Sequence, residues 1–350
     1  MFNNLVIFEM ANNHQGSLKH GLKIIDTYSN ISKNLFNPAI KLQYRDLNTF
    51  ISKTELNAKK NKHVDRFIST KLERDEFKIF CNKIKNNNLK LIITPFDEAS
   101  VNYAIEDGVD ILKIASCSAN DWPLIEKIAI TKKPVIFSTG GQDLNSIDKL
   151  YSFFSHKSIE FAIMHCVSIY PTEFNDAQIS FIKRLKKRYP NVPIGYSGHE
   201  APNDNSTIKV AIGCGAKLFE RHVGIKNKNI KLNSYSMDPA QTSNWIKSIN
   251  DSFTILGSKS DKEISKLEKK SIMDLQRGVF LNKNINKGKK IKLNDIYFAF
   301  PLQKDQVSSG EFVENIVATK NYKKNNPLKQ DVKQRNSKLI RSYIHQYKGL

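Results

Sequence analysis

Strand-like and helix-like segments alternate along this chain with little interruption, about eight pairs over roughly 255 residues. The strand candidates are LVIFEMA (5–11), AIKLQY (39–44), LKLIITPF (89–96), DILKIAS (110–116), PVIFSTG (134–140), FAIMHCVS (161–168), VPIGYSGH (192–199) and KLFERHV (217–223). Helical patterns separate them, several opening on a capping residue: Ser17, Asp97, Asp143 and Asp176. Parallel strands joined by helices bury both faces of a sheet, and this size and order match a (β/α)8 barrel. A doubly wound open sheet is the alternative, but no GxGxxG follows the first strand.

A barrel places its active site at the C-terminal strand ends, on the inward-facing parity. Polar residues collect there. Glu9 continues the alternation of Leu5 and Ile7; Lys41 and Gln43 share a face; Thr94 and Lys113 lie late in their strands; Ser138 and Gly140 close the fifth. Cys166 and Ser168 share a face of the sixth, with Tyr170 just beyond. The stretch 193–223 is the densest. It reads as strand, helix from near Asn203 to Gly213 or Gly215, and strand, with Ser197 and His199 on one face and Glu220 and His222 on the next. Two imidazoles on adjacent parallel strands, with a carboxylate nearby, can share a divalent metal; hydrogen-bonded strand-end histidines are the plain alternative. Lysines inside apolar strands are costly unless paired. Lys41 and Lys113 are either half of internal salt bridges or a clamp, with Ser116, Ser197 and Thr94, for a phosphate and a carboxylate.

The net charge of +21 would suit an anionic substrate or nucleic acid, but the lysines are scattered rather than clustered with aromatics, so no nucleic-acid partner is expected. Cys81, Cys117, Cys166 and Cys214 form no CxxC pair and fit a reducing, cytoplasmic setting. The N-terminal apolar run lacks a basic flank and reads as a strand, and no run is long enough to cross a membrane.

Taken together, EMANNHQGS, IKLQY, ITPFDEASV, LKIASCSANDWPLI, KPVIFSTG, MHCVSIYPTEF, PIGYSGHE and GAKLFERHV resemble the sialic acid synthase family in order along the chain. The resemblance implies condensation of phosphoenolpyruvate with an open-chain sugar to a 2-keto-3-deoxy sugar acid. It implies a barrel over residues 1–257, a linker at 258–270, a small mostly-β domain similar to type III antifreeze protein at 271–335, and a basic tail at 336–350. By resemblance Lys41, Gln43, Thr94, Lys113, Ser116 and Ser197 hold phosphoenolpyruvate, with Ser168 and Tyr170 bordering it. His199 and His222 match the ligands of a Mn²⁺-type ion, Mg²⁺ or Co²⁺ being alternatives. Glu9 lies by the reacting sugar, and Glu9 or Glu220 handles the water. The family's homodimers cap each barrel with the partner's small domain.

The departures are Ser118 where the family has glutamate, Gly198 where it has aspartate, Asn233 at or beside an aspartate, and Phe300-Pro301-Leu302 in place of Arg-Pro-Gly. Placed on the sugar side, they imply a different aldose or amino sugar, with N-acetylmannosamine a poor substrate. Arg277 and Lys304 are the nearest replacements for the missing arginine. A Schiff-base pyruvate lyase using Lys113, or a non-catalytic glycan-binding relative, are the rival readings.

Overall fold

A computed structural model describes residues 1–330 except 36, 59–60 and 258–260. The chain divides into two compact units, Met1–Ser258 and Lys259–Leu350.

The first unit is a closed barrel of parallel strands in sequence order, β1 to β8. They are β1 (Leu5–Glu9), β2 (Asn37–Tyr44), β3 (Lys90–Pro95), β4 (Ile111–Ile114), β5 (Val135–Ser138), β6 (Phe161–Cys166), β7 (Ile194–Gly198) and β8 (Leu218–His222). The β1 strand closes the ring by pairing with both β2 and β8. Around it run α1 (Leu18–Ile31), the short α2 (Leu47–Phe50), α3 (Lys53–Ala58) and α4 (Lys62–Ser69), then α5 (Arg74–Asn86), α6 (Glu98–Glu106), α7 (Trp122–Ile130), α8 (Leu144–His156), α9 (Phe181–Arg188), α10 (Ser206–Gly213) and α11 (Pro239–Leu256). Ser17, Asp97 and Asp143 cap α1, α6 and α8 through side-chain oxygens. Asp176 does not cap a helix. It ends a single 3₁₀ turn, Gln178 takes a left-handed backbone angle of 45°, and α9 starts only at Phe181.

Strand alternation sorts the barrel into two cores. Outward residues pack against the helices. Inward residues fill the lower barrel with Phe2, Leu5, Ile7, Ala39, Ile92, Ile111, Ile136, Ala162, Met164 and Leu218. Burying each large aliphatic side chain is worth about 1.5–3 kcal/mol. That apolar plug lets the same strands carry charged side chains one layer higher. Gly195 is inward too, because a Cβ there would lie 2.4 Å from the Leu218 side chain.

In the second unit, Ser265 caps α12 (Lys266–Asp274), so the lysine-rich stretch expected as a linker to residue 270 enters a helix. No face of α12 is buried. Two short antiparallel pairs follow: β9 (Gly278–Leu281) with β11 (Ile296–Ala299), and β10 (Lys290–Ile291) with β12 (Ile316–Val317). They enclose a separate core that includes Val279, Leu281, Ile291, Ile316 and Leu328. Residues 331–335 and the tail 336–350 lie outside the described residues. No helix among the described residues is long and apolar enough to cross a membrane, and the four cysteines are free thiols.

Candidate active site

The layer above the apolar plug holds four buried charges. Lys41 Nζ lies 2.6 Å from Glu9 Oε2 and 2.8 Å from Glu220 Oε2, and Lys113 Nζ lies 3.8 Å from the same Glu220 oxygen. Strand register brings them together, since Glu9 is level with Lys41 on one side and with His222 on the other. Ser197 donates to Glu220 Oε1 at 3.0 Å, Lys113 donates to Ser138 at 2.6 Å, and the Ala11 amide donates to Glu9 Oε1 at 2.6 Å. Burial alone would raise the Glu220 carboxyl, but the ammonium groups of Lys113 and Lys41 outweigh it and hold it well below the usual carboxylate range. The sequence left the lysines as internal salt bridges or as a clamp with Ser116, Ser197 and Thr94, and the partners they have in this structure are Glu9, Glu220 and Ser138. The buried Thr94 hydroxyl makes no hydrogen bond among the described residues.

His199 directly follows β7 and His222 ends β8, with ring centroids 5.4 Å apart. His199 Nδ1 faces the Val167 carbonyl at 3.0 Å, and a carbonyl can only accept, so Nδ1 carries the proton and Nε2 keeps its lone pair. Burial lowers His199 to about 4 and His222 well below its ordinary value, so both rings are neutral at neutral pH. A neutral pair of imidazoles, one with its tautomer fixed by a backbone carbonyl, fits a divalent ion with two protein ligands. No cluster of three or more His, Cys, Asp or Glu suited to a metal occurs among the described residues. Tyr170 and Tyr235 pack on the pair, at 4.4 Å from His199 and 5.0 Å from His222.

Above the charged layer opens a cavity of about 1070 Å³, lined by Gln43, Ser116, Ser168, Tyr170, His222 and Asn233 among the expected site residues. The Ser116 hydroxyl accepts from the Gly140 amide at 3.0 Å and touches Cys166 Sγ at 3.1 Å. A Cβ on Gly140 would lie 2.2 Å from Ser168 Oγ, so this wall closes only over a glycine. Asn13 ties the β1 and β8 loops together through the Val223 carbonyl at 2.8 Å. Sequence reasoning missed Arg45, Lys62, Arg66, Cys117, Lys231 and Tyr235, which line the same cavity. Arg45 follows Lys41 and Gln43 at strand spacing and was open to inference; the others sit on short helices and loops that carry no periodic signal.

The departures from the family pattern fall in different places. Gly198 is not on the sugar side. Ser197 and His199 point inward, so position 198 points outward, and a Cβ there would lie 2.5 Å from Glu200 Oε2. Glu200 occupies that space. It pairs with the buried Arg221 guanidinium and accepts from Thr207 at 2.5 Å and Tyr196 at 3.0 Å, locking the outer faces of β7 and β8 together. Ser118 is buried on a 3₁₀ turn and does not line the cavity. Asn233 does line it, but its side-chain oxygen accepts from the Ser236 amide at 2.8 Å and the Tyr235 amide at 3.2 Å, holding a turn. Arg277 and Lys304 are exposed on the small unit.

A closed parallel barrel with charged and imidazole side chains at its C-terminal strand ends defines an enzyme-type site. Residues 32–261 match the model of the NeuB family, and the chain belongs to that family. It is 30% identical over 298 residues to an uncharacterised protein of Methanocaldococcus jannaschii, covering 85% of this chain and 84% of that one. It is 28% identical over 311 residues to the N,N'-diacetyllegionaminic acid synthase of Legionella pneumophila, covering 85% of each. Among solved structures, one described as a spore coat polysaccharide biosynthesis protein E from Chromobacterium violaceum superposes with a TM-score of 0.88 at 37% identity, covering 95% of this chain and 100% of that one. The sialic acid synthetase of Leptospira borgpetersenii, solved with citrate, gives 0.67 at 30% identity, covering 76% and 89%.

Proposed function

We propose that this chain condenses phosphoenolpyruvate with the open-chain form of an aldose or amino sugar, giving a 2-keto-3-deoxy sugar acid of the nonulosonate type and phosphate. The observation that carries the reading is the joining of two neutral histidines to two buried lysine–carboxylate pairs at the same barrel end, in a chain of this family.

In this reading C3 of phosphoenolpyruvate bonds to the aldehyde carbon, water adds at C2, and the C2–O bond to phosphate breaks, releasing the ketone. Lys41 and Lys113 hold the phosphate and carboxylate, helped by Gln43, Thr94, Ser116 and Ser197, and stabilise charge as it leaves. Each lysine exchanges part of its carboxylate pairing for the substrate anion. Glu220 is committed to Ser197, Lys41 and Lys113, which makes it a poor base. Glu9 faces one lysine and the Ala11 amide where Glu220 faces two lysines and Ser197, and the water's proton is assigned to Glu9 on that difference. A divalent ion on His199 and His222, Mn²⁺ in first place, would supply Lewis-acid polarisation of the aldehyde oxygen. Tyr170 and Ser168 shield the reacting carbons from bulk water. The family resemblance extends the proposal to a homodimer in which the antifreeze-like small unit serves the partner's barrel.

The test is phosphate release from phosphoenolpyruvate across a panel of aldoses, with Mn²⁺ and with a chelator. Release that depends on both an aldose and the metal supports the reading. No aldose-dependent release, or inactivation by borohydride with pyruvate, would replace it with a lyase or a binding role.

A further inference from the structure

The cavity over the charged layer has one sign. Arg45, Lys62, Arg66 and Lys231 line it, and among the described residues no aspartate or glutamate does. Among the described residues none of these four makes an ion pair, whereas Arg74, Arg188 and Arg221 are each paired with a carboxylate. Arg45 is the sharpest case. Its guanidinium lies 3.7 Å from the centroid of Phe96 and 4.2 Å from that of Phe67, and one Nη donates to Gln43 at 2.9 Å. Its Nε is buried and has no hydrogen-bond partner among the described residues. Asp46, the next residue, and Asp97, whose charge does reach the guanidinium, accept from backbone amides and the Ser100 hydroxyl at helix starts rather than from Arg45. Burial pulls the Arg45 guanidinium down to about 10. A half-buried, stacked arginine that makes no ion pair among the described residues is a group held ready for an anion. Among the described residues Arg66 donates to the Gln15 amide oxygen at 3.2 Å and the Asn12 carbonyl at 3.3 Å, neutral acceptors that leave its charge uncancelled.

This inference rests on the function proposed above. In the layer beneath, the charges of Glu9 and Glu220 already cancel those of Lys41 and Lys113. Phosphoenolpyruvate and a divalent ion together bring little net charge, so the four cavity cations remain in excess. We propose that the acceptor sugar carries an anionic group, a phosphate or a carboxylate, at the end remote from its aldehyde, and that Arg45 and Arg66, with Lys62 and Lys231, bind it. A site built to pair such a group discriminates strongly against an acceptor that lacks it.

The experiment measures kcat/KM at saturating phosphoenolpyruvate for matched acceptors: N-acetylmannosamine with its 6-phosphate, mannose with its 6-phosphate, and glucose with glucuronic acid. The anionic member of at least one pair should be preferred by tenfold or more, the phosphate and carboxylate arms identifying the group. Arg66→Ala and Arg45→Lys should each cut that preference roughly 10- to 100-fold, the loss of a charge-assisted contact. Arg66 is exposed, so its substitution tests the site even if changes at Arg45 disturb folding. Equal or better turnover of the neutral members would overturn the proposal. So would variants that raise KM for phosphoenolpyruvate and leave the acceptor preference intact, which would assign the cations to that substrate. Failure of every acceptor to release phosphate would instead bring down the synthase reading, and this proposal with it.

Discussion

Glu9 and Lys41 are register partners on neighbouring strands, and the lysine ammonium is held 2.6 Å from the Glu9 carboxylate with Glu220 at 2.8 Å on its other side. Removing one member of such a buried set leaves a carboxylate without a counter-charge. Lys41→Met, close in volume, should cost about 3–5 kcal/mol of stability in chemical denaturation. Combining it with Glu9→Gln should recover part of the loss. A cost near zero for the single change would show that the pairing is not structural.

His199→Ala and His222→Ala should each abolish Mn²⁺ binding, followed by the electron paramagnetic resonance of free Mn²⁺, and abolish turnover with it. The fold should persist, because both residues lie at strand ends above the apolar plug. Metal binding that survives the double substitution would remove the assignment.

Gly198→Asp should be harmful alone. Its Cβ would meet Glu200 at 2.5 Å and place a second carboxylate beside the first, an overpacking and like-charge penalty of about 2–4 kcal/mol. Gly198→Asp combined with Glu200→Thr should restore most of the melting temperature by giving Arg221 a single carboxylate again. A single variant as stable as the parent would contradict the geometry.

Gly140→Ala should strike activity harder than stability. The new methyl would lie 2.2 Å from Ser168 Oγ, 2.7 Å from Ser116 Oγ and 2.9 Å from Cys166 Sγ, displacing the hydroxyls along the cavity wall. A stability loss of about 1–3 kcal/mol is expected, with a much larger fall in kcat/KM. Wild-type kinetics would show that this wall does not touch the substrate.

The barrel was legible because a period of two writes itself directly into a strand. The alternation of Leu5, Ile7 and Glu9, or of Leu218, Glu220 and His222, states which side chains face in and how high. The same rule already sets Gly198 outward, opposite to Ser197 and His199, so its assignment to the sugar side ran against the pattern. The pairing of Lys41 with two carboxylates depends on which strands close the ring, a long-range fact that no local window contains. The helices Leu47–Phe50, Lys53–Ala58 and Lys62–Ser69 were not legible either: they are short and largely polar, yet the last of them carries Lys62 and Arg66 to the cavity.

The balanced quartet of Glu9, Lys41, Lys113 and Glu220 is drawn from β1, β2, β4 and β8, so no short segment of the gene owns it. A recombination between relatives that exchanged only the first strands or only the last would inherit half of a charge pattern. Chimeras of this barrel should therefore stay viable only when both ends of the reading frame come from partners whose acids and bases occupy the same four places.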